Sequence, residues 1–62
     1  MKFYEVTSNF YDCGRVTVAI TNVIEANTKP DDIVKYLKKC DVYIDYFNSR
    51  KEAEEFMKGT NK

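Results

Sequence analysis

The run DVYIDYFNSRKEAEEFMKG, Asp41 to Gly59, constrains this chain more than any other stretch. Val42, Ile44 and Tyr46 alternate with Tyr43, Asp45 and Phe47. Period-two spacing of β-branched and aromatic residues predicts a strand. Ser49 then stands three residues before Glu52. That is capping-box spacing: the Ser49 hydroxyl can accept from the Glu52 amide while the Glu52 carboxylate reaches back to the Ser49 amide. Ala53, Phe56 and Met57 fall at i, i+3 and i+4 and make one apolar stripe. Gly59 stands where a left-handed C′ residue would end a helix. Arg50–Glu54, Lys51–Glu55 and Glu54–Lys58 are i,i+4 pairs for the solvent side. The stretch therefore predicts a strand, a capped turn and an amphipathic helix folded back over that strand.

The preceding residues must cover the apolar side of this unit. Phe3 to Ser8 reads as a first strand, with Tyr4 and Val6 on one face and Glu5 and Thr7 on the other. Tyr11-Asp12-Cys13-Gly14 is turn chemistry, with Gly14 free to take positive φ. Arg15 to Asn22 reads as a second strand, with Val16, Val18 and Ile20 on its apolar face. The two predict an antiparallel hairpin. Pro30 suits the first position of a helix. Asp31 and Asp32 at the start and Lys35, Lys38 and Lys39 at the end complement a helix dipole. Ile33, Tyr36, Leu37 and Cys40 fall at helical spacing. A short helix over Pro30–Lys39 follows. An irregular loop is the alternative, because Ile33 and Val34 are mediocre helix formers.

The element order is then ββαβα in a single α+β domain spanning 1–62. It is a three-stranded antiparallel sheet with one short and one longer helix packed on one face. The expected core is Tyr4, Val6, Val16, Val18, Ile20, Ile33, Leu37, Val42, Ile44, Tyr46, Ala53, Phe56 and Met57. Asn61 and Lys62 are expected to fray. A chain this short buries only about 60% of its unfolded surface. Its five Tyr and four Phe supply burial that length does not.

Little in the chain points to chemistry. There is no histidine, so the commonest general base and metal ligand are missing. Cys13 and Cys40 alone make a poor zinc site, and no base stands ready to activate either thiol. Asp41 and Asp45 share a strand face about 13 Å apart, too far for a glycosidase pair at roughly 5–9.5 Å. No glycine-rich phosphate loop is present. The chain is read as a non-enzyme with no metal and no cofactor. Met1 to Asp12 lacks the apolar core of a signal peptide, and no segment approaches the ~20 apolar residues of a membrane span. A cytoplasmic protein with reduced thiols is expected, although the sequence leaves open whether Cys13 and Cys40 are bridged.

Ten basic and ten acidic residues cancel, so no long-range field draws in nucleic acid or an anionic membrane. The sheet face away from the helices is expected to carry Phe3, Glu5, Tyr43, Asp45 and Phe47. That aromatic and acidic face is the candidate interaction surface, for a protein partner or for a second copy as a homodimer. The alternative is nucleic-acid binding through Lys35, Lys38 and Lys39, the one basic cluster.

Two resemblances bear on this. The segments MKFYEV and YFNSRKEAEEFMKG resemble the ends of the small hybrid-binding domain of ribonuclease H, also called viroplasmin-like. That resemblance implies a ββαβα order and contact with an RNA–DNA hybrid or a duplex. The family's tryptophan and basic middle helix have no counterpart here, so its contacts carry over to no residue. The whole chain resembles short uncharacterised proteins of phage-like and conjugative elements of gut Firmicutes, through FYEVTSNFYDCGRV, a KP loop and YIDYFNSRKEAEEF. That likeness implies a mobile-element accessory protein and no particular activity.

Overall fold

The computed structural model describes residues 1–60; the expected fraying of Asn61 and Lys62 lies outside them. Its elements are β1 Lys2–Tyr11, β2 Val16–Glu25, β3 Ile33–Tyr36, β4 Cys40–Phe47 and α1 Arg50–Thr60. The strands form one antiparallel sheet in the order β2-β1-β4-β3. The fold is α+β, as expected, but with four strands and one helix. β3 stands where the sequence predicts the helix over Pro30–Lys39.

The helical spacing of Ile33, Tyr36, Leu37 and Cys40 is a coincidence that β propensity overrides. Ile33 and Val34 are β-branched and Tyr36 is aromatic, so all three suit a pleated strand. The Leu37 N–H donates to the Cys40 carbonyl at 2.9 Å and closes a tight turn over Lys38 and Lys39. β3 then runs back along β4 with Ile33 opposite Ile44 and Tyr36 opposite Asp41.

The β1–β2 hairpin forms as the sequence predicts. Gly14 takes φ 90° in its turn, and the Gly14 N–H donates to the Tyr11 carbonyl at 2.9 Å. The register of β1 against β2 slips between Glu5 and Val6: Glu5 faces Asn22, Val6 faces Ile20, and Thr21 bulges between them. A bulge bends and twists its strand pair. Phe3 and Val6, which a flat strand would send to opposite sides, are both buried.

Ser49 caps α1, its Oγ accepting from the Glu52 N–H at 3.2 Å. The Arg50–Glu54 pair forms at 3.1 Å. Gly59 lies inside the helix and has no positive φ, so it is not the C′ residue expected of it. α1 touches β1, β2 and β4, and β3 lies beyond its reach. Ala53 is fully buried, and the Phe56 ring lies 5.1 Å from Phe47.

The β1–β4 register sets which side of β4 looks toward this helix. Val6 stands opposite Asp45, and Glu5 stands opposite Tyr46. Asp45, Tyr43 and Phe47 therefore share the face of Val6, Val18 and Ile20, where α1 packs. Val42, Ile44 and Tyr46, expected on that face, lie on the other with Glu5 and Thr7. The buried apolar residues are Phe3, Val6, Tyr46 and Ala53, while Ile33 and Leu37, expected in the core, are exposed. The Cα atoms fill a slab of 37 × 22 × 13 Å, too thin for a deeper interior.

The two glycines should respond oppositely to alanine. A Cβ at either meets open space, but Gly14 alone has a left-handed φ. Gly14→Ala should cost about 1 kcal/mol through backbone strain. Gly59→Ala should stabilise by about 0.5 kcal/mol through helix propensity. Urea denaturation of the two variants checks both signs.

Candidate functional site

Between β4 and α1 the sheet leaves an open groove of about 420 Å³, lined by Ser8, Phe10, Asp41, Tyr43, Asp45 and Phe56. Alternation builds most of it. Ser8 and Phe10 stand opposite Tyr43 and Asp41 in the β1–β4 ladder, and paired residues project to the same side. The helix stripe adds Phe56. Phe10 and Tyr43 meet edge to face, with ring centroids 5.3 Å apart and planes at 87°.

Ser8 is the least expected member. It is 1% exposed, and its Oγ has no hydrogen-bond partner. An unpaired buried hydroxyl costs about 1–3 kcal/mol. Sequence patterning gave no warning of it, since a serine in a strand reads as solvent-facing.

Asp45 sits in partly dry surroundings. Burial pushes the Asp45 carboxyl above the usual carboxylate range, the negative charge of Asp32 adds to this, and Lys29 opposes it. Burial also raises the Tyr43 hydroxyl, with Tyr36 and Asp41 adding to it. The Lys29 Nζ lies 6.0 Å from the Phe47 ring centre, which draws the segment between β2 and β3 across this end of β4.

The five residues expected on one interaction face are divided. Tyr43 and Asp45 line the groove, and Phe47 packs on Phe56. Phe3 is buried at 1% exposure. Glu5 lies on the opposite face, where the Tyr46 hydroxyl donates to its Oε2 at 3.0 Å and the Thr21 hydroxyl to its Oε1 at 2.7 Å. The Thr7 hydroxyl, 2.9 Å from that of Thr21, donates to it in turn. Burial and the Glu5 carboxylate both raise the Tyr46 hydroxyl. Glu5 is thus engaged within the fold, and the Thr21 bulge positions one of its donors.

The three lysines do not gather on a helix. Lys35 lies on β3, opposite Val42, and Lys38 and Lys39 form the turn into β4. Both cysteines are free, Cys13 exposed and Cys40 half-buried. Among the described residues, no group of three or more His, Cys, Asp or Glu is placed to hold a metal ion, and no helix is long and apolar enough to cross a membrane.

The groove carries a pH prediction. A folded-state pKa raised above the unfolded one means the folded protein binds the Asp45 proton more tightly. That contribution to stability is present below the ordinary carboxylate pKa and is lost as pH rises through the raised value. Wild type should therefore lose stability over this interval, and Asp45→Asn should remove that part of the loss. Thermal melts of both proteins from acidic to neutral pH check it.

Comparison of the chain with family models, curated proteins and solved structures finds no match.

Proposed function

We propose that this chain is a non-enzymatic protein-interaction module that receives a basic side chain of a partner protein in the groove between β4 and α1. The observation that carries this reading is the gathering of two carboxylates, Asp41 and Asp45, and three aromatic rings, Phe10, Tyr43 and Phe56, around one open groove. A guanidinium or ammonium group is attracted by the faces of rings and by carboxylates, and it donates hydrogen bonds. Arg suits such a site better than Lys, because its planar group stacks on a ring while its N–H groups reach a carboxylate. The groove volume of about 420 Å³ lies within the roughly 300–1,000 Å³ of ligand pockets.

The same charges disfavour phosphate in the groove, so nucleic acid would have to bind elsewhere on the chain. An accessory role in a mobile element rests on the likeness of FYEVTSNFYDCGRV, the KP loop and YIDYFNSRKEAEEF described above.

The test is an NMR titration of isotope-labelled protein with a short arginine–glycine peptide and a matched glutamate–glycine peptide. The basic peptide alone should shift the amides of Tyr43, Asp45 and Phe56. Tyr43→Ala combined with Asp45→Asn should weaken that binding about tenfold, or ~1.4 kcal/mol, within reach of a lost cation–π contact and its carboxylate. Ser8→Ala should fold normally, since it removes an unpaired group rather than a bond. A groove silent to the basic peptide, or equally responsive to both, would overturn the reading.

A further inference from the structure

β3 is an edge strand that the helix leaves bare. Ile33, Val34, Tyr36 and Leu37 are 39%, 47%, 75% and 57% exposed. Its outer edge has no neighbouring strand among the described residues. An exposed edge of this kind is a template for another strand, and most native edges are blunted by charge or proline. Here one charge, Lys35, stands within the strand, and the others flank it: Asp31 and Asp32 precede it and Lys38 and Lys39 follow it. Read in the reverse direction, the segment is complementary to itself.

The hydrogen-bond pattern agrees with that symmetry. The Leu37 N–H bonds the Cys40 carbonyl, so Leu37 turns its backbone polar groups inward toward β4. Antiparallel ladders alternate between bonded and non-bonded pairs. Lys35 and Ile33 therefore also turn inward, and Val34 and Tyr36 present their N–H and C=O to the free edge. A second β3 running antiparallel, with Lys35 opposite Lys35 of the second copy, sets Val34 against Tyr36 and Tyr36 against Val34. The outward-facing groups then pair with one another. The same register sets Asp31 and Asp32, which lead into β3, near the Lys38–Lys39 turn of the second copy, at both ends.

We propose that two copies of this chain associate through β3, antiparallel and centred on Lys35, into one continuous eight-stranded sheet. This rests on the edge of β3 and not on the groove. The helix does not stand in the way: α1 packs on β1, β2 and β4, away from the shared edge. A short strand pairing covers less than the about 1,200 Å² of a stable standard interface, so the dimer is a weak one that forms as concentration rises. Lys35 facing its own copy is the one like-charged pair and weakens it further.

A charge exchange tests the register in the full chain, read by sedimentation velocity up to millimolar concentration. Wild type should shift from monomer to dimer, more readily at low salt. The variant D31K/D32K, and separately K38D/K39D, should each weaken self-association roughly tenfold or more, since four exposed pairs are reversed. An equimolar mixture of the two should form a heterodimer, because every end pair is again opposite in sign. Lys35→Thr should tighten the wild-type dimer. Val34→Pro should abolish it, because it deletes an N–H that points away from β4, where an edge strand tolerates proline. Amide NMR spectra confirm that each variant is folded. A wild type that stays monomeric throughout, single-sign variants that dimerise as well as wild type, or a mixture that yields no heterodimer would overturn the proposal. None of these outcomes bears on peptide binding in the groove, so the two readings stand or fall separately.

Discussion

The structure depends on the pairing of β1 with β4, which joins the beginning of the described chain to its last strand. Every other element hangs on that ladder: β2 on the outer side of β1, β3 on the outer side of β4, and α1 folded back from the end of β4. Its register has a chemical consequence. With Val6 opposite Asp45, the helix-bearing face receives Tyr43, Asp45 and Phe47 from β4 instead of Val42, Ile44 and Tyr46. One half of that face is the apolar surface of β1 and β2, closed by Ala53. The other half is aromatic and acidic, and α1 covers it only in part. A one-residue slip in the ladder would bury Ile44 there and expose the acids, so core and groove are set by the same register.

That choice was not legible in the sequence, and the reason is local. In β4 one side is Val42, Ile44 and Tyr46 and the other is Asp41, Tyr43, Asp45 and Phe47, so alternation favours the apolar side, while the aromatics of the acidic side leave the choice ambiguous. The burial of Tyr46 and the half-burial of Tyr43 fit that ambiguity: each side of β4 is partly covered. α1 was legible because a cap, a stripe and a charged face all agreed, and the Ser49 bond to Glu52 is the one the spacing implies. The β1–β2 hairpin was legible through Gly14 and the Val16, Val18, Ile20 alternation, although the Thr21 bulge left no mark. β3 was not legible as a strand. It is short, its residues are all exposed, and it pairs on one side only. Its charges also mimic a helix with acid at the start and base at the end. The same distribution is what makes the strand self-complementary.

The candidate site follows the same division. Tyr43 and Asp45 were recognisable from the sequence as an aromatic beside an acid. Asp41, Phe10 and Phe56 join them only through the register and the placement of the helix. Ser8 could be found only in three dimensions, because its significance is a missing partner. Glu5, with the same sequence credentials as Asp45, differs in what surrounds it. Two hydroxyls donate to its carboxylate, so its charge is spent inside the fold. The Asp45 carboxyl is raised by burial and by the charge of Asp32, with Lys29 opposing them, and an entering cation would add to what Lys29 supplies.

A chain of this size has one helix to cover a sheet with two faces and two edges. Covering β1 and β2 with α1 secures the core, and it leaves the groove along β4 and the outer side of β3 as the surfaces least satisfied by the chain itself. The two adjoin at Tyr43, which lines the groove and stands opposite Val34 in the β3–β4 ladder. Tyr36 acts on the Tyr43 hydroxyl from the same face. Val34 and Tyr36 belong to the edge and do not line the groove, so the two surfaces can be filled independently, with no movement of the helix required.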